Sequence, residues 1–520
     1  MAEEVWMLQT KKADFKQIGA RFRIDPVTAR IIRNRGIKGE AAIDRYLNGT
    51  LDDLYDPMLL KDMERAVSIL CEAVDTGKKI RIVGDYDIDG VCSTYILLQA
   101  FERLGSDVDF EIPDRIKDGY GINESIIEQA HADGVEVILT CDNGISAFHQ
   151  VELAKKYGMT VVITDHHEVP LDGEKEKIPP ADAVIDPKQA DCPYPFPEIC
   201  GAVVAYKLVQ VLYARRGVPQ MEWLDLLEFA AIATVGDVMK LQDENRILVK
   251  YGLKKMAQTK NLGLRRLAEK NNLDLGAITA YHIGFVIGPC LNAGGRLKTA
   301  KEALALLRAQ SEEEAERLAE ELKELNDTRK DMTEQGTEAA KLQVESWYQK
   351  DKVLVVFLPE CHESLAGIIA GRLREYYQKP AIVLTRGEEA VKGSGRSIDE
   401  YHMFKKLTEV SDLLLKFGGH PLAAGLSLEE KNIDEFRRRL NENAGLTEED
   451  FKAKVWIDVP MPVGYVTERL VRELSCLEPF GQGNEKPLFA EKSLRIRASR
   501  VLGRNRNVVK MTLEETDGHA

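Results

Sequence analysis

No Cys-x-x-Cys pair occurs in the chain, and its eight cysteines (Cys71, Cys92, Cys141, Cys192, Cys200, Cys290, Cys361 and Cys476) are scattered. That spacing argues against a zinc site or a dithiol redox centre, and the cysteines read as buried free thiols. No uninterrupted apolar run approaches the ~20 residues of a membrane span. The start, Met1-Ala2-Glu3-Glu4, is acidic rather than signal-like. These absences predict a cytoplasmic protein with no membrane partner. No internal repeat or low-complexity tract is visible. Positive charge is in deficit, 71 Lys and Arg against 85 Asp and Glu for a net charge of −14. This argues weakly against a nucleic-acid binder that is basic over its whole surface, while leaving room for a local basic channel.

What is present points to several domains, since 520 residues exceed the usual single core. Residues 1–75 read as a helical extension, with Asp25-Pro26 opening one helix and Arg35-Gly36 closing it. From residue 76 strand and helix alternate: strands are expected at 79–84, 108–112, 135–140, 159–164 and 183–185, with helices of ten to fifteen residues between most of them. This is the pattern of βαβ units and a mainly parallel sheet over 76–300. Residues 301–350 are charged, free of proline and apolar every third or fourth position, so a long helix or helix pair should connect two domains. A smaller α/β module is expected over 351–450. A β-rich segment follows over 451–520.

Three stretches, Asp85-Tyr86-Asp87-Ile88-Asp89-Gly90, Cys141-Asp142-Asn143-Gly144 and Thr164-Asp165-His166-His167-Glu168, each follow a β-branched run. Parallel strands deliver their C-terminal ends to one sheet edge, where ligands of open α/β folds bind. Carboxylates and imidazoles gathered there suit Mn²⁺ or Mg²⁺. Three aspartates at alternate positions make poor packing elements, because unpaired buried carboxylates are costly. Asp142 taken alone is equally an ordinary turn residue, and Asp237 in Ala233-Thr234-Val235-Gly236-Asp237 is equally a helix cap. The pair His166-His167 is sharper, since adjacent strand residues point opposite ways, one to metal and one to substrate.

In this order the motifs resemble those of the DHH phosphoesterase superfamily. The chain is similar, within it, to the bacterial single-strand-specific exonucleases, through Gly288-Pro289-Cys290-Leu291-Asn292-Ala293-Gly294-Gly295-Arg296, Gly393-Ser394-Gly395-Arg396-Ser397 and Phe417-Gly418-Gly419-His420-Pro421. The resemblance implies a parallel-sheet DHH domain, a connecting helix, a smaller DHHA1 domain and a partial OB-like C-terminal segment. It implies two Mn²⁺ or Mg²⁺ ions held by Asp85, Asp87, Asp89, Asp142, Asp237 and His166. His167 would face the scissile phosphate and Asp165 would orient a histidine. Where many superfamily members carry a histidine this chain has Val83, and Asp85 would supply that contact. Asn292, Arg296, Arg396, Ser397, Gly419 and His420 would bind substrate phosphate. For Arg296 and Arg396 the competing reading is a surface ion pair.

The activity implied is two-metal hydrolysis of single-stranded DNA to mononucleotides, 5′→3′, in repair and recombination. A monomer acting beside a helicase and a single-strand-binding protein is expected with it. Two basic stretches could track a nucleic-acid backbone: one between Lys250 and Lys270, the other Arg495, Arg497, Arg500, Arg504, Arg506 and Lys510. Either could equally be a solvated face. The alternatives are a DHH phosphodiesterase of oligoribonucleotides or cyclic dinucleotides, and a non-catalytic replication scaffold of the same fold. Length and the second basic stretch weigh against the former, and a full set of motif carboxylates against the latter.

Overall fold

Short runs of β-branched and aliphatic residues build the first sheet: β1 (Ile80–Val83), β2 (Val108–Glu111), β3 (Val137–Cys141), β4 (Thr160–Thr164) and β5 (Ala183–Ile185). The computed structural model describes residues 4–115, 117–503 and 506–514. In it these strands lie in the order β2-β1-β3-β4-β5, all parallel. Every residue of β1, β3 and β5 is buried, as expected of a parallel sheet covered on both faces. The strand order reverses between β1 and β3, which opens a crevice outside their C-terminal ends.

Three helices fix the walls of that crevice. Helices α1 (Ile88–Arg103) and α2 (Gly201–Arg216) are apolar almost all round and bury against each other, and α3 (Leu227–Gly236) packs on both. Helix α4 (Gly288–Leu297) then leads to α5 (Glu312–Gln343), a single helix of 32 residues. The Ser311 hydroxyl caps α5 by accepting from Glu314 N at 3.2 Å, and Glu312, Glu313 and Glu314 complement its dipole.

The charged face of α5 also corrects an expectation about the first basic stretch. Arg266 Nε lies 2.8 Å from Glu312, Lys270 Nζ 2.6 Å from Glu316, and Lys255 and Lys260 both pair with Asp225. These cations hold the helices together, whereas Lys250 and Lys254 of the same stretch make no ion pair among the described contacts.

The second sheet contains β6 (Leu354–Phe357), β7 (Ala381–Arg386), β8 (Val391–Arg396), β9 (Leu414–Gly419) and β10 (Ala423–Leu428) in the order β9-β10-β8-β7-β6. Only β6 and β7 run parallel. Helix α6 (Ala366–Tyr377) covers one face.

The N-terminal region is not purely helical. The strand Glu4–Leu8 pairs in parallel with Ala453–Ile457, and Ile31, Ile32, Ile43 and Tyr46 share an apolar cluster with Val459, Met461, Leu470 and Leu477. Arg246 pins both ends to the centre: its guanidinium, 2% exposed, donates to the carbonyls of Tyr46, Leu477 and Cys476 at 3.0, 2.9 and 2.8 Å. A strand whose partner lies more than four hundred residues away leaves no local periodicity to read. Toward the C-terminus, Arg495–Leu502 and Val508–Glu514 form an exposed antiparallel hairpin. No described helix is long and apolar enough to cross a membrane.

Candidate active site

The acids converge because each follows a neighbouring strand. Asp85 and Asp87 lie just beyond β1, Asp142 beyond β3, and Asp165 and His166 beyond β4. Asp87 is the N-cap of α1, accepting from the N–H groups of Asp89 (2.9 Å) and Gly90 (3.1 Å). Asp89, one turn in, accepts from the N–H groups of Gly201 and Ala202 at the start of α2, both at 2.7 Å. Asp237 caps the C-terminal end of α3. A Cβ at Gly201 would stand 2.7 Å from Asp142 Cβ, so only glycine lets α2 come this near. Asp142 itself has φ 61°, a left-handed conformation that costs a non-glycine residue about 1 kcal/mol or more.

His166 is the hub. Its Nε2 lies 3.1 Å from Asp142, 3.4 Å from Asp89 and 3.8 Å from Asp237. Donor atoms of Asp85, Asp87 and Asp142 form one group with ligand spacing, and those of Asp89, His166 and Asp237 another. Burial and then mutual repulsion push Asp85 and Asp142 well above the usual carboxylate range and Asp237 to about 8. No side chain pairs with either oxygen of buried Asp85, and only the backbone N–H groups of Tyr86 and Gly121 ease its charge. Burial also lowers His166, which favours the neutral imidazole that a metal requires. A cluster of hard oxygen donors short of positive charge fits divalent Mn²⁺ or Mg²⁺.

His167 is different in kind. Its Nδ1 lies 2.8 Å from Asp165 Oδ1, and a ring nitrogen stands 3.1 Å from Tyr120 Oη, which donates to the Asp142 carbonyl at 2.8 Å. Burial opposes its charge, but Asp165, with Asp89 and Asp237 behind it, outweighs burial and raises His167 to about 9. Asp165, 1% exposed, also accepts from Ile145 N at 2.9 Å and His166 N at 2.7 Å. Burial would raise Asp165, yet these contacts and the histidine charges hold it below the usual carboxylate range.

Facing the acids, a cavity of about 530 Å³ lies between the two sheets' domains, lined by Tyr86, Arg115, Arg296, Ser364, Ser394 and Arg396 among others. Arg296 Nη1 donates to the Ser364 carbonyl at 3.0 Å, across the cleft, and Arg396 Nη1 to Ser394 Oγ at 3.1 Å. No carboxylate pairs with either arginine among the described contacts, so they are not the surface ion pairs that were the competing reading. Burial, then the neighbouring Arg115, Arg329 and Arg396, lowers Arg296 to about 10.

Several expected phosphate ligands lie elsewhere. Ser397 is 5% exposed and its hydroxyl donates to the Tyr401 carbonyl at 2.6 Å, because the alternation of β8 turns Ser394 and Arg396 toward the cavity and ends before Ser397. Asn292 on α4 does not line the cavity, nor do Gly419, the last residue of β9, and His420, which begins the turn to β10. His420 N donates to Ala423, the residue beside Arg396 in the sheet, and its side chain is exposed. Of the second basic stretch, Arg495, Arg500 and Arg506 are exposed, Arg497 pairs with Glu514 at 2.8 Å, and Arg504 lies outside the described residues.

Sequence reading missed Arg115, Tyr120, Ser364, Ser394 and Asp186. Ser394 was within reach, two residues before Arg396 on a strand. Asp186 follows β5 as Asp85 follows β1, and burial, then Asp165, raises it to about 7. Arg115 and Tyr120 sit in an irregular loop with no periodic signal.

The model of the DHH family, N-terminal domain, matches residues 79–234, that of the DHHA1 domain residues 350–445, and that of the RecJ OB domain residues 457–520. Over 522 residues the chain is 34% identical to the single-stranded-DNA-specific exonuclease RecJ of Haemophilus influenzae, covering 96% of this chain and 89% of that one. The chain belongs to the RecJ family. It is 37% identical to the RecJ of Bacillus subtilis over 98% of its own length, and spans 64% of that relative. Its fold matches the crystal structure of RecJ in complex with Mn²⁺ from Thermus thermophilus with a TM-score of 0.83 and 29% identity, covering 98% of this chain and 74% of that one. The Mg²⁺ complex of the same RecJ matches with a TM-score of 0.75 and 28% identity, over 98% of this chain and 73% of that one. Those RecJ complexes hold the two cations that the acid cluster here fits.

Proposed function

We propose that this protein is an Mn²⁺- or Mg²⁺-dependent exonuclease that removes mononucleotides from the 5′ end of single-stranded DNA in repair and recombination. The observation that carries the reading is the pairing of two subsites across one cleft: the acid cluster at the sheet edge, and the arginine-lined cavity facing it. A strand anchored by its terminal phosphate at Arg115, Arg296 and Arg396 presents its first phosphodiester bond to the acids. Asp85, Asp87, Asp89, Asp142, Asp237 and His166 are the residues to hold two ions. When bound, such ions lower the pKa of water and neutralise phosphate charge. His167, kept cationic and oriented by Asp165, donates from its cleft-side nitrogen to the scissile phosphate.

Selection of single strands is supported by a second cavity, of about 910 Å³, that opens beside Asp237 and is lined by Val238, Tyr281, Phe285, Pro479 and Phe480. Tyr281 and Phe285 are exposed and stack at 4.8 Å, a platform for unpaired bases that paired bases cannot use. The exposed Arg495 and Arg500 are free to meet backbone phosphates of a longer strand. The same reading places the protein in the cytoplasm, as a monomer beside a helicase and a single-strand-binding protein.

A time course on 5′- and 3′-labelled single strands and duplexes, with Mn²⁺, Mg²⁺ or EDTA, tests it. The label should leave as a mononucleotide at once from the 5′ end and last from the 3′ end, on single strands alone and never in EDTA. Release from the 3′ end first, or equal digestion of blunt duplex, would reject the reading.

A further inference from the structure

The cavity that holds Arg296 and Arg396 extends past them. Along β8, Lys392, Ser394 and Arg396 alternate with glycines and so share one face of the strand. Their order in space follows from what they touch: Arg296 donates to the Ser364 carbonyl at 3.0 Å, Arg396 and Ser394 lie within 2.9 Å of where a Cβ on Gly367, three residues on from Ser364, would stand, and Lys392 lies two residues further back along β8. Running outward from the acids, the cations are therefore Arg296, then Arg396 with Ser394, then Lys392 at the start of the strand, two residues beyond Ser394. All of them line the same cavity.

The charge in this cavity exceeds what one phosphate needs. Arg115, Arg296, Arg396 and Lys392 contribute four positive charges, and Glu363 is the one carboxylate among the lining residues. A terminal phosphomonoester brings only about −1.5 to −2. At about 530 Å³ the space is that of a cofactor-sized ligand, well beyond a single phosphoryl group.

We infer that the outer part of this cavity, reaching to Lys392, accepts the second and third phosphates of a 5′-triphosphorylated strand, making such ends substrates alongside 5′-monophosphorylated ones. The inference rests on the exonuclease reading above and names a further class of substrate for the same site. In the first turnover water adds to the phosphorus of the first internucleotide bond, the bond from that phosphorus to the 3′-oxygen of the terminal nucleotide breaks, and that oxygen takes up a proton. The products are a free nucleoside 5′-triphosphate and a strand shortened by one residue that now begins with a monophosphate. Later turnovers are those of the ordinary substrate. No co-reactant besides water is required.

The test compares single-stranded oligonucleotides of one sequence bearing 5′-hydroxyl, 5′-monophosphate or 5′-triphosphate ends, in Mn²⁺, with products identified by mass spectrometry. The wild-type protein should release nucleoside triphosphate first from the third strand, with kcat/KM no lower than on the second. Because Lys392 is exposed and outside the core, Lys392→Ala should fold normally. It should lower kcat/KM on the triphosphate strand about tenfold, the scale of one charged contact, and leave the monophosphate strand unchanged, with Lys392→Arg restoring the loss. Digestion of the monophosphate strand but not of the triphosphate strand would overturn the inference alone, as would an equal loss on both strands in Lys392→Ala. Digestion of neither strand would overturn the exonuclease reading, and the inference with it.

Discussion

Asp165 Oδ1 stands 2.8 Å from His167 Nδ1, and the same oxygen accepts the N–H groups of His166 and His167, so one buried carboxylate sets both histidines. The side chains then diverge, His166 toward the other acids and His167 toward Tyr120 and the cleft. Asp165→Asn keeps the shape but presents the wrong group to Nδ1. Turnover should fall by about 10–100-fold at saturating Mn²⁺. Rate measurements beside a thermal melt check this, and an unchanged rate would remove Asp165 from its orienting role.

Much of this site is legible in the sequence. Asp85, Asp142 and His166 each follow a β-branched run, and the rule that parallel strands end on one edge was enough to bring them together. The phosphate side was read less well, because contiguous motif letters hide the alternation of a strand. Ser397 follows Arg396 in sequence, yet Ser394 shares its face. Arg115 and Tyr120 sit on an irregular loop, and the pairing of Glu4–Leu8 with Ala453–Ile457 depends on a partner too distant for any local pattern.

Gly367 gives the clamp a sensitive test. A Cβ there would lie 2.8 Å from Arg396 Nη2 and 2.9 Å from Ser394 Oγ, the tips of flexible side chains rather than backbone. Gly367→Ala should therefore displace the clamp without harming the fold, and alanine in helix α6 should even add about 0.5–1 kcal/mol of stability. The expected outcome is KM raised about tenfold on 5′-phosphorylated single strands, on the scale of one charged contact, with an equal or higher melting temperature. Unchanged KM would mean that Arg396 does not bind substrate there.

Arg246 supplies a prediction about assembly. Its guanidinium is the partner of three carbonyls drawn from both ends of the chain, and Arg246→Met would strand them at a cost of roughly 1–3 kcal/mol each. Urea unfolding should show a loss of several kcal/mol, or early release of the terminal segments as a separate transition. A variant as stable as wild type would show those contacts to be dispensable.

Glu228 predicts a pH dependence of stability away from the acid cluster. It is 3% exposed, accepts from Thr259 Oγ1 at 2.6 Å, and burial raises it to about 7. A carboxyl raised on folding stabilises most below its unfolded pKa, and that contribution is lost as pH climbs through 7. Glu228→Gln should thus gain on wild type between pH 5 and pH 8, by on the order of 2–3 kcal/mol. Parallel urea titrations at the two pH values check the sign, and a constant difference would show that Glu228 is charged in the folded protein.

The proposed activity requires two ions and a terminal phosphate to meet in one cleft. Anomalous diffraction from crystals grown with Mn²⁺ and a 5′-phosphorylated, phosphorothioate-protected single strand measures all three together. Two manganese peaks should fall among Asp85, Asp87, Asp89, Asp142, His166 and Asp237, with the terminal phosphate against Arg296 and Arg396. Manganese bound outside that cluster, or a strand end seated away from those arginines, would contradict it.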